Sequence, residues 1–214
     1  MRDFPIFTTE YGVSSLTLRE IPYKKEAYIC IRDVQTAFFQ EHLSECVGFC
    51  KMAGAERVFA TGHEMLQAYP NVITIVQMRG QIPSDVSRTA QLFPVTESTV
   101  GKWREIYNGR MRAVPNARTL EKRDEATLLQ ESGVYFVHRE GTLLGIGWLR
   151  GEKLEALASV IPGEGECVMR TLLSLLDGES VTLEVAASNR RAVHLYEKLG
   201  LLKTAEVARW HDVT

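Results

Sequence analysis

Residues 181–201, VTLEVAASNRRAVHLYEKLGL, constrain the fold of this chain more than any other stretch. Apolar residues alternate over 181–185, which predicts a strand with one buried face. Ser188 and Asn189 are typical helix caps, and Gly200 stands where a left-handed residue ends a helix. The apolar residues between these signals fall on one helical face: Ala192, Leu195, Tyr196 and Leu199. The stretch therefore predicts a buried strand, a tight turn and an amphipathic helix.

Composition indicates a globular protein with an ordinary core. The chain has 214 residues, 45% of them apolar, and a formal net charge of −2. This charge gives no basic footprint for nucleic acid, so no nucleic-acid partner is expected. No apolar run reaches the ~18 residues of a membrane helix, and the N-terminus lacks the apolar core of a signal peptide. We therefore expect no membrane partner and a cytoplasmic location.

The four cysteines, Cys30, Cys46, Cys50 and Cys167, form no C-x-x-C pair. Cys46 and Cys50 are four residues apart among apolar neighbours, a helical spacing. Buried free thiols are the expected state, in keeping with a reducing cytoplasm. No metal site is predicted.

The second half of the sequence predicts a regular order of elements after a linker or joining strand at 81–97. The order is two helices, three antiparallel strands, helix, strand, helix and strand. The predicted ranges are 98–111, 120–130, 133–138, 143–149, 154–161, 166–176, the stretch described above, and 204–213. Glu140-Gly141 and Arg150-Gly151 predict hairpin turns, and Asp177-Gly178 predicts a helix end.

This order, the Val160-Ile161-Pro162 ending of the third strand and the motif N-x-x-A-x-x-L-Y resemble the GNAT superfamily of N-acetyltransferases. The resemblance covers about residues 92–214. It implies an α+β (mixed-sheet α/β) fold, the GNAT acyl-CoA N-acyltransferase fold. Residues 91–214 would form the full N-acetyltransferase domain.

The first half resembles the last part of the same core. Its pattern predicts strands at 14–20, 27–32, 56–61 and 72–78, a connection at 21–25 and an amphipathic helix at 33–53. The apolar face of that helix has seven members: Phe38, Phe39, Leu43, Cys46, Val47, Cys50 and Ala53. Residues 1–90 are therefore interpreted as a truncated GNAT-like domain in a tandem arrangement. The segment IRDVQTAFFQEH lacks the glycines that let backbone N–H groups reach phosphates, so we expect packing rather than coenzyme binding here. A second ligand site stays an alternative.

The resemblance implies transfer of an acetyl group from acetyl-CoA to a primary amine of a small molecule or peptide. Tyr196 occupies the family position of the proton donor to the leaving thiolate, although a packed core aromatic is the alternative. Asn189 corresponds to the residue that contacts the coenzyme arm, and it also suits an ordinary helix cap. Glu155 stands where some relatives carry the general base; the alternative is a polar strand residue beside Lys153. His194 lies on the polar helix face and is expected in solvent.

The resemblance also implies a cofactor site around the start of the helix at 166–176. Its predicted members are Val160, Gly163, Gly165, Cys167, Val168, Met169, Arg170 and Asn189. The family's pyrophosphate loop reads Q/R-x-x-G-x-G/A, whereas this chain reads EGECVM at 164–169. Two carboxylates beside a pyrophosphate would repel it, yet glutamate at a helix start is also electrostatically favourable.

These departures leave a second function open, that of a non-catalytic GNAT-like sensor or interaction module. The sequence does not identify the amine that would accept the acetyl group. Acidic residues at 105, 121, 124 and 125 would attract a cationic amine, and a solvated helix face explains them equally well. A homodimer stays an open assembly state.

Overall fold

The computed structural model of the protein describes residues 5–82, 89–176 and 180–214. Contacts divide the chain into two compact units. One runs to Thr74 and includes Ala208–Thr214, and the other runs from Ile75 to Val207. The predicted domains at 1–90 and 91–214 stay a prediction.

The first unit combines an antiparallel and a parallel arrangement of strands with one long helix. Its elements are β1 (Ile6–Thr8), β2 (Gly12–Thr17), α1 (Ile21–Lys24), β3 (Glu26–Val34), α2 (Phe39–Met52), β4 (Arg57–Thr61), the start of β5 (Asn71–Gln81) and the end of β11 (Leu202–Asp212). β2 is antiparallel to β1 and β3, and β3 is parallel to β4. The predicted order of strand, strand, helix, strand and strand is confirmed, with β1 and α1 added.

Helix α2 covers the hydrophobic core of this unit. Phe39, Leu43, Cys46 and Cys50 are buried as predicted, because they recur at intervals of three and four. The predicted helix at 33–53 begins too early, since β3 continues to Val34. Phe38, which precedes the first helical residue, is 40% exposed, so its predicted burial is wrong. Ala53, at the other end of the helix, is also exposed.

The second unit has the predicted order of helices and strands. Its elements are β6 (Gln91–Pro94), α3 (Val100–Met111), α4 (Glu125–Gln130), β7 (Val134–Arg139), β8 (Thr142–Arg150), β9 (Lys153–Ser159), α5 (Gly165–Leu173), β10 (Ser180–Ala186), α6 (Arg190–Lys198) and most of β11. The strand order in this unit is β11-β5-β10-β9-β8-β7-β6. β10 is antiparallel to β5 and parallel to β9.

Three predictions at element ends differ from the structure or fall in part outside its described residues. The helix predicted at 120–130 is shorter, because Glu121 and Asp124 form a capping box around a 3-10 turn and α4 begins only at Glu125. The segment predicted as a linker contributes the edge strand β6, while its residues 83–88 lie outside the described residues. The predicted helix end at Asp177-Gly178 also lies outside them.

Both predicted hairpin turns are confirmed by left-handed backbone. Glu140 and Gly141 have φ of 52° and 79°, and Gly151 has φ of 55°. Left-handed turn residues match the twist of a two-residue hairpin, which glycine adopts at little cost. These turns align β7, β8 and β9 as an antiparallel meander.

Helices pack on both faces of this meander. On one face, α5 lies so close to β8 that a Cβ on Gly147 would be 2.2 Å from Leu172 Cδ1. On the other face, Trp103 of α3 is fully buried and donates a hydrogen bond to Tyr135 O at 3.0 Å. The meander is therefore the middle layer of the unit, and its strands carry two separate apolar clusters.

Candidate functional site

Strands β9 and β10 run side by side and then part. Their parallel register is limited to Lys153 with Thr182 and Leu154 with Leu183. β9 stays paired with β8 as far as Ser159, opposite Gly145. The two strands therefore form a fork, and beyond its apex one edge of β9 faces a cleft instead of a strand.

A β-bulge at the apex accounts for the fork. Leu154 lies opposite Leu149, but the next pair on β8 joins Trp148 to Ala156, so Glu155 is an extra residue on β9. An extra residue bends its strand and increases the local twist. The bulge therefore turns β9 away from β10 at the point where their pairing ends.

The cleft of the fork has a volume of about 890 Å³. β9 and β10 supply its inner walls, and the start of α5, helix α6 and the segment after α3 complete it. Five predicted site residues line it: Glu155, Gly163, Gly165, Asn189 and Tyr196. A depression bounded by two strands, a helix start and a second helix suits an extended ligand.

The open edge of β9 presents a definite set of backbone groups. Val160 N donates to Leu144 O at 2.8 Å, so the backbone of Val160 points toward β8. Val160 O also accepts a hydrogen bond from Arg110 Nη2 at 2.7 Å. Because alternate residues of a strand point to opposite edges, Leu157 and Ser159 turn their N–H and C=O groups toward the cleft. An extended ligand would pair with these two residues, whereas the sequence pointed to Val160.

Helix α6 presents Tyr196 to the cleft. The side chain is 7% exposed, and burial raises the pKa of its hydroxyl to about 12. The phenol is therefore protonated at neutral pH and can donate a proton. Asn189 Oδ1 accepts a hydrogen bond from Ala192 N at 3.4 Å, and Gly200 has φ of 85°. The hydrogen bond confirms the predicted cap, and the left-handed Gly200 confirms the predicted end of the helix.

The carboxylates at the start of α5 face cations. Glu164, which makes no side-chain cap, pairs with Arg139 at 2.6 Å. Glu166 pairs with Lys198 and Arg170, and these two cations lower the pKa of its carboxyl group. These three cations offset the two carboxylates, and the helix N-terminus adds a partial positive charge.

Helix α5 itself divides the remaining predicted cofactor residues. Val168 and Met169 are fully buried in the core, and Val168 N already donates to Glu164 O at 3.0 Å. Cys167 is half-buried, with Sγ 3.4 Å from Thr89 Oγ1. The predicted cofactor residues that do not line the cleft are Val160, Cys167, Val168, Met169 and Arg170. Their contact with a cofactor stays a prediction.

Glu155, the predicted general base, is held by two cations. Its Oε1 lies 3.4 Å from Arg150 Nη1 and its Oε2 lies 3.6 Å from Lys153 Nζ. Lys153 also pairs with Glu184 of β10 at 3.1 Å, across the apex of the fork. The geometry shows the alternative arrangement, a polar strand residue beside Lys153, while the catalytic role stays a prediction.

Sequence reasoning missed several residues of the cleft. Arg110, Arg191 and Lys198 line it, as does the segment from Val114 to Arg118. Within that segment Asn116 has φ of 59°, a conformation that asparagine adopts more readily than most residues. In the sequence, only Pro115 and Asn116 indicated a loop at this position, and neither indicated a binding site. His194 is exposed, as predicted.

The parallel strands of the first unit pair more extensively than β9 and β10. β3 and β4 stay in register over five pairs, from Glu26 with Arg57 to Cys30 with Thr61, and β3 then runs on to Val34 without a partner in β4. The expectation that the first half packs rather than binds coenzyme stays a prediction. Cys46 and Cys50 are buried free thiols, as predicted, while Cys30 and Cys167 are half-buried.

Comparison with solved structures identifies the fold. A GCN5-related N-acetyltransferase from Sphaerobacter thermophilus is similar with a TM-score of 0.53 and 11% identity, over 94% of this chain and 76% of that one. The chain has the GNAT acetyltransferase fold. A tandem GNAT protein from the clavulanic acid biosynthesis pathway gives a TM-score of 0.54 and 13% identity, over 94% and 78% of the two chains. A GNAT-family acetyltransferase from Colwellia psychrerythraea gives 0.51 and 12%, over 97% and 84%.

Comparison of sequences adds nothing to this, since no family model and no curated protein matches the chain. The GNAT fold therefore rests on structure. Among the described residues, no helix is long and apolar enough to cross a membrane. Nor do these residues bring together three side chains that could hold a metal ion.

Proposed function

We propose that the protein is an acetyl-CoA-dependent N-acetyltransferase that acts on a primary amine of a small molecule or peptide. The fork between β9 and β10 carries the proposal. It offers a free strand edge for an amide-bearing arm, a helix start for phosphates and a protonated Tyr196 within one cleft. Each of these features meets one requirement of acyl transfer from a long thioester.

The residues present fit coenzyme A. A side chain at Gly163 would meet nothing within 4 Å, so the approach to the start of α5 is open. First-turn N–H groups of a helix lack intrahelical acceptors and readily bind phosphate. The cations Lys198 and Arg170 neutralise Glu166 there, which removes the repulsion expected from the sequence. Leu157 and Ser159 would pair with the amides of the pantetheine arm.

In the proposed reaction, the amine nitrogen bonds to the thioester carbonyl carbon and the carbon–sulfur bond breaks. Tyr196 gives its proton to the departing thiolate. The tyrosinate then recovers a proton from the acetylated nitrogen, directly or through water, so the phenol is restored. A donor of this kind contributes roughly a hundred- to ten-thousand-fold to rate. The acceptor would enter beside the segment from Val114 to Arg118.

Calorimetric titration with acetyl-CoA and with coenzyme A tests the binding part of the proposal. Binding at micromolar concentration is the expected result, and absence of binding at millimolar concentration would overturn it. An assay of thiol release across a panel of amines and N-terminal peptides then tests turnover. Release that depends on one class of amine would identify the acceptor.

One observation favours the second candidate function, a non-catalytic sensor. The start of α5 carries Glu164 where the family has Arg or Gln, and Cys167 and Met169 where the family has small residues. A sensor would bind the coenzyme without releasing thiol in the presence of any amine in the panel. The same pair of experiments therefore separates the two functions.

A further inference from the structure

A closed polar cluster lies in the core of the first unit. Ser14, His42 and Cys46 are each 0% exposed, and Thr9 joins them from the turn between β1 and β2. His42 Nδ1 lies 2.7 Å from Thr9 Oγ1, and His42 Nε2 lies 2.8 Å from Ser14 Oγ. Cys46 Sγ lies 3.7 Å from the same Nε2. The imidazole therefore joins α2 to both ends of the β1–β2 turn.

The number of donors and acceptors determines which ring nitrogen carries the proton. Thr9 Oγ1 already accepts hydrogen bonds from Tyr11 N at 3.1 Å and Gly12 N at 3.2 Å. A hydroxyl has two lone pairs and one hydrogen, so Thr9 must donate that hydrogen to His42 Nδ1. The neutral ring then bears its hydrogen on Nε2 and donates it to Ser14. The hydroxyl of Ser14 remains to donate toward Cys46.

We propose that His42 is an acid-sensitive tie, held as the Nε2–H tautomer, that couples α2 to the β1–β2 turn. A proton added at Nδ1 would point at an oxygen that already accepts two hydrogen bonds. Either Thr9 releases a backbone N–H of the turn or the ring leaves its place. The first response leaves a backbone N–H of the turn without its acceptor, and the second breaks the contact between the helix and the turn; a buried donor without an acceptor is costly in either case.

The surroundings of the ring offer the added charge little compensation. On its own helix Cys46 is a buried thiol and Glu45 is the acid whose charge acts on the ring, while Glu10 and Tyr11 stand in the turn. Tyr11 also feels the charge of Glu41. From the strands, the described core residues that face α2 are apolar, among them Leu16, Ile29, Ile31 and Val58. Burial lowers the pKa of His42, and Glu45 offsets this in part.

The direction of the pH effect follows from that depression. A histidine in the unfolded chain titrates near 6.5, whereas His42 in the folded unit titrates lower. Below about pH 6.5 the unfolded state binds more protons than the folded state, so stability falls with decreasing pH. The contribution of His42 is complete above that pH and is lost as pH falls through the folded pKa.

Selective ¹⁵N labelling of histidine in the full chain tests the proposal by long-range ¹⁵N–¹H correlation. At pH 7 we expect His42 to show a pyrrole-type Nε2 and a pyridine-type Nδ1, with no exchange average. The midpoint of its titration should lie below about 6.5, the value of a histidine in an unfolded chain. A pyrrole-type Nδ1, or a midpoint at or above that value, would overturn the assignment.

The pair Thr9→Val and Thr9→Ser separates this role from general packing. Valine removes the hydroxyl that donates to Nδ1 but keeps the ring buried, so His42 should no longer hold a single tautomer at pH 7 and the midpoint of acid unfolding should change. Serine keeps the hydroxyl and should leave both observables close to those of the parent. Equal tautomer signals from His42 in the two variants would contradict the tie, and loss of folding in both would leave the tautomer of the parent chain as the deciding measurement.

Discussion

Glu166 of α5 and Lys198 of α6 form an ion pair with 2.5 Å between Oε2 and Nζ, beside the cleft. Lys198 is 60% exposed, so removal of its charge costs the fold little. For coenzyme affinity we expect opposite effects from the two partners. Lys198→Ala leaves a carboxylate near the phosphates and should weaken binding of coenzyme A about fivefold, or ~1 kcal/mol.

The matched variant Glu166→Gln removes the carboxylate and leaves both cations. Its affinity for coenzyme A should equal or exceed that of the parent, and the difference between the variants should shrink in high salt, as screening requires. Calorimetry at two salt concentrations measures both effects. If both substitutions weakened coenzyme binding equally, the ion pair would act on the structure of the site and not on the charge that the phosphates meet.

Tyr196→Phe should lower turnover by about a hundredfold or more and leave the Kd for acetyl-CoA unchanged, because phenylalanine keeps the packing and loses the proton. Thiol release under saturating acetyl-CoA gives the rate. Tyr135→Phe is the matched control: Tyr135 lies on β7, away from the cleft lining, and its substitution should leave turnover unaffected. Full activity of Tyr196→Phe would remove the phenol from the role of acid.

Glu155→Gln distinguishes the two roles open to this side chain. Its oxygens face Arg150 and Lys153, so we expect turnover to change less than tenfold and the pH profile to keep its acidic limb. Glu184→Gln breaks the other ion pair of Lys153 and serves as the control. A hundredfold loss confined to Glu155→Gln, together with loss of the acidic limb, would establish it as the general base.

Features that depend on neighbouring residues were accessible from sequence. The strand, cap, helix and left-handed stop of residues 181–201 depend on alternation, on Asn189 and on Gly200. The two hairpin turns could be predicted for the same reason, since each depends on a glycine at the turn itself. Phe38 shows the limit of such reasoning, since an apolar period continues past the point where the helix begins, and the pattern alone does not mark that point.

The decisive features of the cleft depend on contacts between distant residues. The fork arises because β9 pairs with β10 over two residues and carries an extra residue, Glu155, against β8. Neither pairing register can be predicted from the sequence of one strand alone. Likewise, the carboxylates of 164 and 166 are neutralised by Arg139 and Lys198, which lie 25 and 32 positions away in the chain. The sequence left repulsion of a pyrophosphate as one of two open readings, because it does not show which cations face these carboxylates.

The close approach of α5 to β8 gives the clearest test of the packing that supports the cleft. Gly147→Ala would place a Cβ 2.2 Å from Leu172 Cδ1 and 2.9 Å from its Cγ, so the fully buried Leu172 side chain must move or the helix must shift. We expect a loss of about 1–3 kcal/mol, as for other overpacked cores, measured as the free energy of unfolding in urea. Gly109→Ala in α3 is the control: its Cβ would meet nothing within 4 Å, and alanine should stabilise that helix by roughly 0.5–1 kcal/mol. A tolerated Gly147→Ala would mean that α5 packs more loosely on β8, and the start of α5 would then be a poorly fixed site for phosphates.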